Sequence, residues 1–307
     1  MDNLTVIIPF LNEGKEIYNT VENIRRTASE SIEIILIDDN STDAYDYKSV
    51  ADIFSTKYYK NKERMGVAQS RDFGVKICKT ENFILLDGHM RFYTQFWDKI
   101  INESLLEPES LVSCQTKRLR IDPNGEVVEN SSQPTTYGAY ISFNYLSLIW
   151  NTFDPNPRQT KIEIPCIIGA AYACTKTYWQ FLHGLKFLKE IGFDEQYISL
   201  KTMLSGGKCY LLKDLLCGHV YRNKAPYLIN QINPVFNRLL IAELLLPESL
   251  KYSIYMRSER YMHEEYIIAL KMLDEIKNHI SEEKDYLQKI SKISIDTVIE
   301  FNNKYRI

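Results

Sequence analysis

Apolar residues along this chain fall into short runs that stop abruptly at polar clusters, and the runs alternate with stretches whose apolar positions recur every three or four residues. Leu4 to Pro9 (LTVIIP) is β-branched and predicts a buried strand, closed by Phe10-Leu11-Asn12-Glu13. Ile17, Val21 and Ile24 then share one face of a helix. Ile32 to Ile37 predicts a second strand, ending in the carboxylates and capping residues Asp38-Asp39-Asn40-Ser41-Thr42-Asp43. Lys57 to Lys60 predicts a strand, Val67 to Lys79 a helix, and Phe83 to Asp87 another strand. Trp97, Ile100, Ile101 and Leu105 mark a further helix, and Leu111 to Gln115 a further strand. This alternation specifies an α/β fold with a doubly wound, mostly parallel central sheet flanked by helices. The strand tips carrying Asn12, Asp38 and Asp87 then converge along one edge, where open α/β sheets bind ligands.

Phe83-Ile84-Leu85-Leu86 suits a strand buried on both faces, and it is followed at once by Asp87-Gly88-His89. Asp and His one residue apart offer a hard oxygen and a borderline nitrogen, a mixture that suits manganese or zinc better than calcium. Asp-Gly is also a common turn, so this strand end alone does not separate a site from a polar turn. In Glu63 to Gly74, Gly66 turns the chain into a helix, and Arg64 and Arg71 either reach toward phosphate at its N-terminal end or lie on a solvated surface.

Residues 121–160 are rich in Asn, Pro, Asp and Gly and predict hairpins and loops. An apolar stretch resumes at Ile164 and contains Gly169-Ala170-Ala171, small enough for close backbone approach or tight packing. Gly192-Phe193-Asp194-Glu195 precedes a predicted helix, and Cys209 to Leu216 a strand leading to Gly218-His219-Val220-Tyr221-Arg222. His89 and His219 lie just past apolar strands beside glycine, whereas His183, His263 and His279 fall in predicted helices as packing or surface residues. Val220 to Asn233 is polar and turn-rich, and a helix from about Val235 to Leu246 follows. From Pro247 the sequence is helical and strongly charged, with Ser281 read as an N-cap before Glu282-Glu283.

With 307 residues and 45% hydrophobic content, the chain can fill one large domain or two smaller ones. A formal charge of −3 lacks the basic excess of a dedicated nucleic-acid binder. No apolar run approaches the roughly 18 residues of a membrane span, and a strand begins within a few residues of Met1. Six cysteines without a CxxC pair sit mostly in apolar runs, which predicts buried thiols and a cytoplasmic protein.

The order and spacing of VIIPFLNE, IILIDDNSTD, ERMGVAQSRDFG, ILLDGHMRF and GGKCYLLKDLLCGHVYR resemble the family-2-like nucleotide-sugar glycosyltransferases of the GT-A fold. Asp87-Gly88-His89 with Gly218-His219-Val220-Tyr221-Arg222 resembles in particular the catalytic domain of polypeptide N-acetylgalactosaminyltransferases, over residues 4 to about 245. The resemblance implies a Rossmann-like GT-A catalytic domain at 1–246 and a C-terminal helical extension at 247–307. It implies transfer of a hexosyl or N-acetylhexosaminyl group from a UDP-sugar to an acceptor hydroxyl, with retention of configuration. Asp87, His89 and His219 would bind Mn2+ (or Mg2+) bridging the two phosphates. Asp38, with the backbone from Pro9 and Phe10 to Asn12, would hold uridine, aided by Arg64. Arg222 and Tyr227 would lie on a loop closing over the pyrophosphate, and Gly169 and Ala170 would line the sugar pocket. The family has a histidine where Leu11 stands, a second glycine where Ala170 stands, and Trp-Gly-Gly-Glu where this chain has Ile191 to Glu195. Counting from Gly206-Gly207 aligns Asp194 with the family's acid, and counting from Tyr172 aligns Glu195. Asp194, Glu195 and Arg222 are thus the catalytic candidates.

Two other classes compete. A nucleotidyltransferase needs a glycine- and lysine- or arginine-rich loop after its first strand, of which Phe10 to Lys15 is a poor version. A non-catalytic nucleotide-sugar-binding module is opposed by Asp87, His89, His219 and Arg222 together. For the acceptor, a glycan or protein is preferred to a hydroxymethylated DNA base, because no basic stripe announces DNA.

Overall fold

In the computed structural model of the chain, which describes residues 4–29, 32–130, 135–222 and 225–305, the predicted alternation begins with β1 (Leu4–Phe10), α1 (Lys15–Thr27), β2 (Glu33–Asp38) and α2 (Tyr47–Ile53). It continues through β3 (Lys57–Lys60), α3 (Val67–Ile77), β4 (Asn82–Leu86), β5 (Met90–Phe92) and α4 (Trp97–Ser104). Next come β6 (Ser110–Ile121), β7 (Val127–Glu129), the hairpin of β8 (Ala139–Ser142) and β9 (Ser147–Trp150), and β10 (Lys161–Glu163). Then follow β11 (Ala171–Thr175), α5 (Lys176–Phe181), α6 (Asp194–Leu204) and β12 (Lys208–Tyr221). Five helices close the chain: α7 (Ile232–Leu245), α8 (Glu248–Tyr261), α9 (His263–Glu275), α10 (Lys277–Ile290) and α11 (Ile295–Tyr305).

The large sheet runs β10-β12-β6-β11-β4-β1-β2-β3. Strands β3, β2, β1 and β4 are parallel, as the alternation requires, and β6 and β12 are parallel to each other. Between these groups β11 runs antiparallel to both β4 and β6, so the sheet is mixed rather than uniformly parallel. Every residue of β1 is buried, because helices cover both faces. Val6 and Ile8 pack with Ile17, Val21 and Ile24 of α1 on one side, while Ile7 packs with Ile37, Ala68 and Val75 on the other.

The charged C-terminal helices are more deeply involved than their composition suggests. Ile254, Ala269, Leu273, Ile280, Leu287 and Val298 enter the same apolar cluster as α6 and α7. Asn302 of α11 accepts from Ile141 N at 2.7 Å and donates to Ile141 O at 2.9 Å, fastening that helix to β8. Ser281 is not an N-cap, since α10 already begins at Lys277, and Glu283 is buried against His183 and Lys186. His183 itself sits in the turn after α5 at φ 55°, not in a helix. All six cysteines are buried and unpaired. Among the described residues no helix is long and apolar enough to cross a membrane.

Candidate functional site

The apolar run of β4 ends at Leu86, and Asp87 is the first residue past it, its backbone N–H donating to Ala170 O at 3.0 Å. The chain then turns through Gly88 and His89 into β5, which pairs antiparallel with β12 in a register that sets Met90 opposite His219. His219 is thus inside β12 and not beyond a strand end, because β12 resumes its pairing with β6 after an irregularity between Leu212 and Leu216. Pairing of β5 with β12 brings the Nε2 atoms of His89 and His219 to 3.0 Å, and His219 Nε2 lies 3.4 Å from Asp87 Oδ2. One donor atom from each of Asp87, His89 and His219 falls within a 4.8 Å circle of mutual distances.

These residues fit a divalent ion. Two donors about 2.1 Å from one ion and at right angles stand about 3 Å apart, the separation the two imidazoles already have. His89 Nδ1 faces Glu13 Oε2 at 3.1 Å, so the carboxylate holds the proton on Nδ1 and turns the Nε2 lone pair toward the cluster. Burial pushes the His219 imidazole toward its neutral, ligating form. Burial also opposes charge on Asp87, but His219 and Arg71 more than offset it and hold that carboxyl below its usual range. Glu13 is likewise held low, burial being outweighed by His89 and Arg222. The Arg222 guanidinium donates to Glu13 Oε2, so the arginine lies one residue away from the cluster.

A cleft opens beside this cluster. Of the residues singled out in the sequence, Pro9, Phe10, Leu11, Arg64, Gly66, Arg71, Asp87, His89, Gly169, Asp194, Glu195 and Tyr227 line it. Asn12 stands outside, its Oδ1 accepting from Thr42 N at 2.7 Å and its Nδ2 donating to Pro226 O at 3.4 Å. Asp38 is wholly buried, accepting from Ser41 N at 2.6 Å and Tyr58 Oη at 2.7 Å, and its carboxylate is consumed beneath the cleft. The neighbouring Asp39 lines the cleft instead, receiving the N–H groups of Met65 and Gly66, each at 2.8 Å. Gly66 has φ 92° and abuts the Glu190 backbone, a conformation and a closeness that only glycine tolerates. Ala170 contributes its carbonyl to Asp87 and does not line the cleft.

Sequence reasoning left Arg71 open between phosphate and solvent, and the structure buries it. Only 3% exposed, it donates through Nη2 to Asp87 Oδ1 at 2.9 Å and to Gly169 O at 3.0 Å, and through Nη1 to Asp194. Burial opposes its charge, yet Tyr172 and the carboxylates of Asp194, Asp87 and Glu195 hold the pKa above the ordinary arginine value. The signal was present in the helical phase, since Arg71 lies three residues after Ala68 and four before Val75, both inward-facing. The two acids next to each other have different surroundings. Asp194 is paired with Arg71, whereas burial and Asp194 push the Glu195 carboxyl well above its usual range, and its side chain packs against Gly169 with no room for a Cβ there.

The chain is similar to known proteins over most of its length. The human polypeptide N-acetylgalactosaminyltransferase 10 is 26% identical over 282 residues, which is 86% of this chain and 45% of that protein. Human polypeptide N-acetylgalactosaminyltransferase 14 is 25% identical over 81% of this chain and 46% of its own length. The chain thus spans less than half the length of these relatives. Among solved structures, GalNAc-T7 with UDP, GalNAc and Mn2+ superposes with a TM-score of 0.80 at 18% identity, covering 98% of this chain and 57% of the other, which shows a shared fold. S. aureus TarS superposes with a TM-score of 0.53 over 84% of this chain and 44% of its own, at 15% identity. The family profile described as "Glycosyl transferase family 2" matches residues 5–172, more than half of the sequence, and the chain belongs to that family.

Proposed function

We propose that the chain transfers a hexosyl or N-acetylhexosaminyl group from a UDP-sugar to an acceptor hydroxyl, with retention of configuration and with Mn2+ (or Mg2+) as the ion. The observation that carries this reading is the meeting of Asp87, His89 and His219 beside a cleft in a family-2 chain. Its donor and ion are supported by the UDP and Mn2+ in the solved GalNAc-T7 structure and by the names of the similar transferases.

Asp87, His89 and His219 would hold the ion, which when bound supplies positive charge to the diphosphate that leaves. Glu13 orients His89, and Arg71 fixes the carboxylates of Asp87 and Asp194. Pro9, Phe10 and Asp39 would receive the uridine, with Asp38 shaping the loop beneath. Arg64, Arg222 and Tyr227 bound the phosphate side, and Gly169 with Glu195 bounds the sugar side. Glu195, holding its proton in that buried setting, would donate a hydrogen bond to a sugar oxygen or orient the acceptor. Residues 1–246 would carry the chemistry and 247–307 would brace it. The acceptor in this reading is a glycan or protein, and the compartment is the cytoplasm, a placement supported by six unpaired buried thiols.

A panel of UDP-sugars assayed for slow, Mn2+-dependent hydrolysis tests the donor without requiring the acceptor. UDP release from one donor, lost on chelation and in Asp87→Ala, is the expected result. Absence of both hydrolysis and UDP binding across the panel would overturn the reading.

A further inference from the structure

Arg238 of α7 and Arg257 of α8 meet at a second cleft of about 320 Å³, completed by Tyr145 from the β8–β9 turn, Tyr261 and Met262. None of these residues lines the first cleft. The Arg257 guanidinium donates to the Tyr145 hydroxyl and lies 4.4 Å from the centre of that ring. The Arg238 guanidinium sits 5.1 Å over Phe193, and its Nε is buried with no hydrogen-bond partner. Neither arginine has an ion-pair partner among the described residues, whereas the two arginines that line the first cleft, Arg64 and Arg71, each hold a carboxylate.

A half-buried guanidinium without an anion costs the fold desolvation energy that a ring face only partly returns. Two guanidinium groups lining one cleft offer donors suited to the oxygens of a phosphate or carboxylate. The cleft also adjoins the first one through a single segment. Phe193, which carries Arg238 on its ring, directly precedes Asp194 and Glu195, and Asn237 beside Arg238 donates to Lys189 O at 2.8 Å and Gly192 O at 3.0 Å.

We propose that the Arg238–Arg257 cleft binds an oxyanion carried by the acceptor, so that the acceptor is a phosphate- or carboxylate-bearing molecule. This rests on the transferase reading above only for the word acceptor; the anion site stands on its own residues.

Methyl phosphate and glucuronate serve as probes, titrated calorimetrically with the first cleft saturated by UDP and Mn2+. At least one is expected to bind the wild type, with the tighter of the two identifying the acceptor's group. Arg257→Gln and Arg238→Gln should each weaken that probe about tenfold or more, the loss of charge-assisted hydrogen bonds. UDP affinity and donor hydrolysis should stay at wild-type values in Arg257→Gln, because Arg257 lines the second cleft and not the first. No binding of either probe to the wild type, or wild-type affinity in both variants, would overturn the site. If UDP with Mn2+ fails to bind at all, the transferase reading falls instead, and titration without nucleotide still decides the arginine cleft.

Discussion

His89 Nε2 and His219 Nε2, 130 residues apart in sequence, face each other at 3.0 Å with the Asp87 carboxylate alongside. Two imidazoles at that distance share one proton or one cation between them, and Glu13 already occupies the far nitrogen of His89. Replacing His219 by Ala, or Asp87 by Ala, leaves an open coordination position and unbalanced charge. Mn2+ affinity, read by electron paramagnetic resonance titration, should fall at least about tenfold in each, with UDP affinity falling in parallel and circular dichroism unchanged. Unaltered Mn2+ affinity in either variant would remove the cluster from consideration.

Glu13 touches no donor atom of the cluster other than through His89, yet it sets that ring's tautomer. Carboxylates in this position are worth about 10- to 100-fold in metal affinity. Glu13→Gln should show a loss in that range with the thermal midpoint little changed, and it should also release Arg222 from its ion pair. A Mn2+ dissociation constant equal to wild type would mean that His89 is oriented by packing alone.

Arg71 lines the cleft and also carries a structural load. Its removal strands Asp87 and Asp194 in a buried setting, and breaking such a pair costs about 3–5 kcal/mol. Arg71→Met should therefore lower stability by that order in urea unfolding. Adding Asp194→Asn should recover part of the loss, since the stranded charge is then gone. Additive losses in the double variant would refute the pairing.

How far these residues were legible depends on what each one needed. Asp87 and His89 stood out because a run of four apolar residues stopped at them, a local signal. His219 was recognisable by type and spacing, but its place within β12 depends on the irregularity after Leu212, which moves the strand past the charged pair Lys213-Asp214. Asp38 and Asp39 are adjacent, and which of them meets the cleft is decided by where β2 ends, a matter of one residue. A sequence pattern resolves strand ends no better than that. The burial of Arg71 and of one face of the C-terminal helices was harder to read for a shared reason: charge reads as surface until its partners are known, and Asp194, which Arg71 holds, and His183, which faces Glu283, lie about a hundred residues away.

Lys201 illustrates the same point through its pH dependence. It is buried at 1% exposure, donates to Gly184 O and lies 4.0 Å over the Tyr197 ring. Burial depresses its pKa to about 7, against the opposing pull of Glu283 and Asp72 and with some help from Lys186. Between about pH 7 and the unfolded value near 10.5, the unfolded chain binds a proton that the folded chain does not. Stability therefore rises with pH in that window, by at most about 1.4 kcal/mol per unit from this group. Lys201→Met should flatten the rise between pH 7 and 9 and raise the thermal midpoint more at pH 6 than at pH 9. An unchanged slope would place the lysine's titration outside this range.

The loop expected from Val220 to Asn233 is shorter than its composition suggests, since Val220 and Tyr221 belong to β12 and Ile232 and Asn233 to α7, and residues 225–231 border the cleft with little to hold them. Leu228 is 88% exposed, and the described contacts to the body are few. Pro226 O accepts from Asn12 at 3.4 Å, Leu228 O accepts from Arg64 Nη1 at 2.8 Å, and the Arg64 guanidinium lies 5.1 Å over the Tyr227 ring. Hydrogen bonds of this exposed kind contribute about 0.5–1.5 kcal/mol each, so local opening needs far less energy than global unfolding. Arg64→Ala removes one such bond and the ring contact together, and the rate of proteolytic cleavage within 225–231 should rise about tenfold, since cleavage tracks the open population. UDP with Mn2+ should slow cleavage in the wild type, because Tyr227 lines the first cleft and Arg222 adjoins the Asp87–His89–His219 cluster through Glu13. Closure would then exclude water from the activated sugar until an acceptor hydroxyl arrives, and Arg222→Ala should lower turnover as well as protection. Cleavage rates that are equal with and without ligand, and equal in wild type and Arg64→Ala, would make this an ordinary surface loop that happens to lie beside the site.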